Sequence, residues 1–240
     1  MTPLGWLAAV AIIATGAAIQ GSVGFGLGVF GAPILLLIDP RLVPGPMLLD
    51  ALLLTVLVAV REWKWVRLAD LGWSVPGRLL GTAIAVWVLG AIPASRFQLA
   101  MGLLMLLAVA LTAAGPPLPL NRRTLFGAGT LAGVMGTITS IGGPPMALLY
   151  QNEEGPRLRG TLAAFFTLGV IFSMGGLTVA GRFGWTEVKL AALLLPGILL
   201  GFFLSQWSAK RLDKSHTRAI VLVTSAVAGV LVVAKGLMAP

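Results

Sequence analysis

The first 38 residues of the chain carry no charged side chain. Folded as one straight α-helix they would measure about 57 Å, against a bilayer hydrocarbon core of about 30 Å. A single crossing cannot use that length. The run is interrupted by Gln20-Gly21-Ser22-Val23-Gly24-Phe25-Gly26-Leu27-Gly28, and glycine at this density breaks a helix. The segment therefore reads as two short helices, about 4–19 and 27–38, around a glycine-rich turn.

A second uncharged run, 124–152, is broken in the same way by Gly136-Thr137-Ile138-Thr139-Ser140-Ile141-Gly142-Gly143-Pro144-Pro145. Its distal piece, 144–151, is too short to span. Between and after these runs lie conventional spans: 42–60, 71–92 and 97–114, then 160–180, 188–208 and 217–236. Pro116-Pro117-Leu118-Pro119 closes the first set, because the chain cannot continue helically there.

Composition agrees with an all-α polytopic membrane protein. Hydrophobic residues make up 58% and charged residues 10%, whereas a soluble domain carries about 25% charged residues. Disorder is excluded by the same hydrophobicity. With no cysteine and a single histidine, His216, there is no disulfide framework, no thiolate or histidine zinc site and no cysteine nucleophile. No metal or cofactor is expected. The net charge of +9 marks cytoplasmic loops rather than a nucleic-acid surface. The first basic residue is Arg41, so the N-terminal run lacks the basic start of a signal peptide.

The halves repeat. Gly21, Gly24, Gly31 and Pro33 map onto Gly133, Gly136, Gly143 and Pro145 at a constant offset of 112. Pro76-Gly77-Arg78-Leu79-Leu80-Gly81 recurs as Pro196-Gly197-Ile198-Leu199-Leu200-Gly201 at offset 120. The expected organisation is an N-terminal repeat, 1–120 (hairpin 4–38 and helices 42–60, 71–92, 97–114), and a C-terminal repeat, 121–240 (hairpin 124–151 and helices 160–180, 188–208, 217–236). Duplicated transporter halves are commonly inverted across the membrane.

Charge decides how the broken segments run. If each crossed once, Lys and Arg would divide nine to eight between the two faces; if each enters and returns on one side, they divide twelve to five. The positive-inside rule requires such a bias. Each half is thus predicted to be a re-entrant helical hairpin plus three transmembrane helices, with both termini outside. Ten full crossings give the same division, but 144–151 cannot reach across.

Non-helical backbone at membrane depth is tolerated where it is buried in protein or faces a water-filled cavity. Glycine turns leave N–H groups at helix starts, where the dipole favours anions. Two such tips meeting near the midplane would bind an anion through Gly21, Gly24, Phe25, Gly26, Gly133, Gly136 and Gly143, with Gln20, Ser22, Thr137, Thr139 and Ser140 adding side-chain donors. The bland alternative is that the glycines serve helix packing, which is also the favoured account of the two GxxxG hexamers. Gly26-Leu27-Gly28-Val29-Phe30-Gly31 matches G-x-G-x-x-G, but lacks the strand and the downstream acid of a dinucleotide site.

Two ionisable residues fall within spans. Asp50 lies mid-helix, where a carboxylate is costly. It would relay a proton or cation, pair with a basic group such as Arg78, or make a packing hydrogen bond. Arg78 lies about 10 Å inside its helix. Snorkelling to the basic face is the favoured account and anion contact the alternative.

The break ending Gly31-Ala32-Pro33-Ile34-Leu35, its second copy Gly142-Gly143-Pro144-Pro145-Met146 and the four-plus-four layout resemble the TauE/SafE sulfite exporter family. The resemblance implies a bacterial or archaeal inner-membrane transporter of sulfite, sulfonates, sulfoacetate or other small organic anions, with the transport role at 20–33 and 133–145. The leading expectation is a secondary transporter, driven by a proton or sodium gradient, the membrane potential or the substrate gradient and acting by alternating access, with a homodimer as its assembly. An anion channel is the competitor. An intramembrane enzyme, lacking cysteine, a second histidine and paired intramembrane aspartates, ranks lower, as does a scaffold.

Overall fold

A computed structural model describes residues 2–115, 118–153, 155–208 and 214–238. Every element among them is helical: α1 (Pro3–Val23), α2 (Ala32–Ile38), α3 (Gly45–Arg61), α4 (Leu68–Ala91), α5 (Ala94–Ala114), α6 (Arg122–Thr139), α7 (Gly143–Tyr150), α8 (Gly155–Val179), α9 (Trp185–Ser208) and α10 (Lys214–Met238). One wide π turn, Leu27–Gly31, leads into α2. Among the described residues, six helices are long and apolar enough to cross a membrane: α1, α4, α5, α8, α9 and α10. Large apolar side chains such as Leu4, Trp87, Val179 and Trp207 are exposed on their outer faces, as in a chain whose solvent there is lipid.

The breaks fall later than the sequence places the first of them. α1 continues through Gln20, Gly21 and Ser22 to Val23. Those residues stay helical because their groups are satisfied: Arg61 Nη2 donates to the Gly21 carbonyl (2.6 Å) and the Ser22 hydroxyl to the Ala18 carbonyl (2.7 Å). The reversal sits instead at Gly24 and Gly26, whose φ values of 103° and 141° fall where a side chain is strained. α6 ends at Ser140, a left-handed cap with φ 63°. α5 stops at Ala114, and Pro116 and Pro117 lie outside the described residues.

The principal packing pairs join an element before residue 120 to one after it: α1 with α9, α4 with α6, α5 with α10, and α3 with α8. The repeated hexamers make two of these contacts. A Cβ on Gly81 would collide with the Thr130 carbonyl of α6, and one on Gly201 with the Ala14 carbonyl of α1. Small residues here let backbones approach.

Ionic contacts mark the ends of the molecule. At one end the α3–α4 connection meets the start of α8: Arg159 pairs with Glu62 (2.9 Å), Arg67 with Glu153 (2.9 Å), and Gly160 packs on Glu62. At the other, the start of α3 at Gly45 packs on Phe183 and Glu187, and Arg182 lies over the Phe97 ring with its Nη2 donating to the Leu89 carbonyl (3.1 Å).

Candidate functional site

The two breaks touch. Gly28, in the π turn, lies so close to the Ser140 carbonyl and the Ile141 Cα that a side chain there would overlap them. Phe25 packs on Gly143, where a Cβ would come within 3.0 Å of the Phe25 Cβ. Gln20 braces the first turn, its Oε1 accepting from the Leu27 N–H at 3.1 Å. Ser140 braces the second, its hydroxyl donating to the Pro44 carbonyl at 3.1 Å. Between the tips lies a chamber of about 40 Å³, walled also by Met47, Leu48, Ala51 and Thr55 of α3 and Phe166 and Val170 of α8. None of its lining residues is exposed.

Arg78 reaches this chamber from α4 and is 2% exposed. The snorkelling expectation is overturned. The guanidinium turns inward because three glycines leave room for it. A Cβ on Gly136, Gly142 or Gly169 would stand 2.5, 2.6 or 2.5 Å from its atoms. Its Nη1 donates to the Ala132 carbonyl, and its Nη2 to the Ser173 hydroxyl (3.0 Å) and the Gly169 carbonyl (3.3 Å). The Phe165 ring lies 5.9 Å from Cζ. Nε has no hydrogen-bond partner. Among the described residues no carboxylate pairs with it.

Asp50 is fully buried in α3, and among the described residues neither carboxylate oxygen has a hydrogen-bond partner. The alternatives of a pair with Arg78 or a packing hydrogen bond are therefore overturned. On the α3 helix it falls about 115° from the stripe Met47, Leu48, Ala51 and Thr55, so it flanks the chamber rather than lining it.

Of the residues singled out in the sequence, Gln20, Phe25, Gly26, Gly136, Ser140, Gly143 and Arg78 line the chamber. The others lie beside it. Gly21 packs on Ser205, and Gly24 on Leu158 and Arg159. Gly133 packs on Arg78 and Gly81 backbone. The Thr137 hydroxyl meets that of Ser173 at 2.8 Å and so buttresses the residue that holds Arg78. The hydroxyls of Ser22 and Thr139 donate to the carbonyls of Ala18 and Met135.

The tip amides are largely occupied. The N–H of Leu27 goes to Gln20, that of Ile141 to the Thr139 hydroxyl (3.2 Å), and that of Gly24 to the Gln20 carbonyl (2.7 Å). Pro144 and Pro145 in the first turn of α7 have none to give. The cationic group facing the chamber is the guanidinium. Sequence reasoning missed Gly142, Gly169 and Ser173 as its cradle. Gly142 lies within the second break, whereas Gly169 and Ser173 sit in an ordinary span with nothing to distinguish them.

The family model of the sulfite exporter TauE/SafE matches residues 7–232. The chain belongs to the TauE/SafE family. The match covers both breaks, Arg78 and Asp50. TauE/SafE proteins are membrane anion exporters, and with its six apolar helices this one is a multi-pass membrane protein. No curated protein and no solved structure is found to be similar to it.

Proposed function

We propose that this TauE/SafE protein is a secondary transporter of a small sulfur-containing or carboxylated anion, of the sulfite, sulfonate or sulfoacetate type. It binds the anion in the chamber between the tips and moves it across the cytoplasmic membrane by alternating access. The observation that carries this reading is Arg78: a buried guanidinium bordering a chamber, with its Nε unpartnered and no carboxylate among the described residues to offset it. Burying a charge unpaired costs several kcal/mol, and a guanidinium grips an oxyanion through forked, charge-assisted hydrogen bonds. A bound anion supplies the missing counter-charge.

The re-entrant, inverted architecture belongs to the same proposal. Its support is the ionic contacts of Glu62 with Arg159 and of Arg67 with Glu153. A broken segment that crossed once would put the α3–α4 and α7–α8 connections on opposite faces, too far apart to pair. The matched pairings α1 with α9 and α6 with α4 are what two halves related by a two-fold axis in the membrane plane would make. We assign coupling to a proton at Asp50. A metal cation needs several oxygen ligands, and no cluster of three acidic or histidine groups exists among the described residues; a proton needs only the carboxylate.

The test is a thermal-shift series on purified protein with sulfite, thiosulfate, sulfoacetate and small carboxylates. At least one anion should raise the melting temperature of the wild type and fail to do so for Arg78→Gln, while Arg78→Lys responds weakly. An equal shift in Arg78→Gln removes the guanidinium from the site. No shift with any of these anions, together with no saturable flux in proteoliposomes, overturns the function.

A further inference from the structure

A second cavity, of about 230 Å³, lies on the other side of the first break. Ser22, Leu158 and Arg159 line it, together with Gln151, which is exposed, so this cavity reaches the surface. Arg159 stands in its wall, with its guanidinium on Glu62 (2.9 Å) and the Ser22 carbonyl (3.4 Å). Two residues are common to both cavities: Phe25 and Gly26. Since Gly26 has no side chain, the Phe25 ring is the only side chain among the described residues that borders both spaces.

The ring is also placed to move. Its residue stands between two glycines in left-handed conformations, Gly24 at φ 103° and Gly26 at φ 141°. Such a Gly-Phe-Gly unit can change its backbone angles with little steric resistance. The ring is half-buried and rests on Gly143, a residue with no side chain to clamp it. It borders both buried apolar clusters of the molecule and belongs to the interior of neither.

We propose that Phe25 is the gate between an outer vestibule, walled by Leu158 and the ion-paired Arg159, and the inner chamber at Arg78. This deepens the transport reading and rests on it for the identity of the chamber. In its observed place the ring stands between the two cavities. When the ring swings on its flanking glycines, the two cavities join and an anion passes from the vestibule to Arg78. The wall is one side chain thick, so its size sets what can pass.

The absence of cysteine makes the test direct. Ala147→Cys places a thiol in the vestibule alone and Ala51→Cys places one in the chamber alone. Ala85→Cys, fully buried and lining neither cavity, is the control. Each is treated with the anionic reagent sulfonatoethyl methanethiosulfonate in the Phe25, Phe25→Ala and Phe25→Leu backgrounds. Ala147→Cys is expected to react rapidly in all three, and Ala85→Cys in none. Ala51→Cys should react slowly with Phe25 present and at least about tenfold faster once the ring is removed, because access scales with the open fraction. A rate at Ala51→Cys that neither variant changes overturns the gate. If Ala85→Cys becomes reactive in Phe25→Ala, the milder Phe25→Leu decides. The labelling needs no transported substrate, so an inert thermal-shift series would sink the transport reading while leaving this result standing.

Discussion

Arg78 stands where the second copy of its hexamer has Ile198, which is fully buried. The same backbone position thus carries a charge in one half and a hydrocarbon in the other, and only the charged copy meets a glycine cradle. An intramembrane arginine is plain in the sequence. Its direction was not, because a residue about 10 Å from a helix end can reach either water or the interior. The choice is made by Gly142 and Gly169, far along the chain, which no local pattern links to it. Asp50 is a parallel case: its depth was readable, its lack of any partner was not. Asp50→Asn keeps the shape and removes the ionisable group. In proteoliposomes, anion movement driven by an imposed pH gradient should fall to the leak level, while exchange at equal pH persists. Identical pH-driven flux in Asp50→Asn would leave the carboxylate without a coupling role.

At the scale of the element, the broken helices were the most legible feature, because glycine and proline report directly on backbone geometry. The exact turning points were less so. α1 outlasts its glycines because Arg61 and Arg159 bond the carbonyls of Gly21 and Ser22, a favourable use of cations at a helix C-terminus, and those arginines come from α3 and α8. The reverse holds at Ser140, where a left-handed cap forms without glycine because its hydroxyl finds the Pro44 carbonyl. In the short connection after α2, Asp39 accepts hydrogen bonds from the Arg41 side chain (2.7 Å), which hold its carboxyl below the usual range. The hexamers have the spacing of helix-packing motifs, and their glycines do lie against backbone. Gly201→Leu should therefore destabilise the protein by at least the roughly 1–3 kcal/mol of core overpacking. Loss of melting temperature for Gly201→Leu but not for Gly90→Leu, whose site is open, is the check.

The whole molecule is tied together by contacts between its halves rather than within them. Composition and uncharged runs were enough to give a helical membrane protein, but not which helix lies beside which, since every span presents a similar apolar surface. The pairing comes from small-residue notches at Gly77 and Gly81 against α6, and at Gly197 and Gly201 against α1. Residues 1–120 and 121–240 expressed separately should each fail to give a stable, folded product, whereas co-expressed they should associate and co-purify. A stable monodisperse 1–120 fragment would contradict this interleaved packing.

Interleaving has a cost during synthesis. α1 leaves the ribosome first, yet the Ala14 carbonyl and Ala17 methyl that receive Gly201 must wait for α9, whose Gly201 is made 187 residues after Ala14. At about 5–20 residues per second, that is roughly ten to forty seconds in which a nascent α1 lies in the bilayer without its partner. A cell making this protein has to shelter that unfinished surface until the second half arrives.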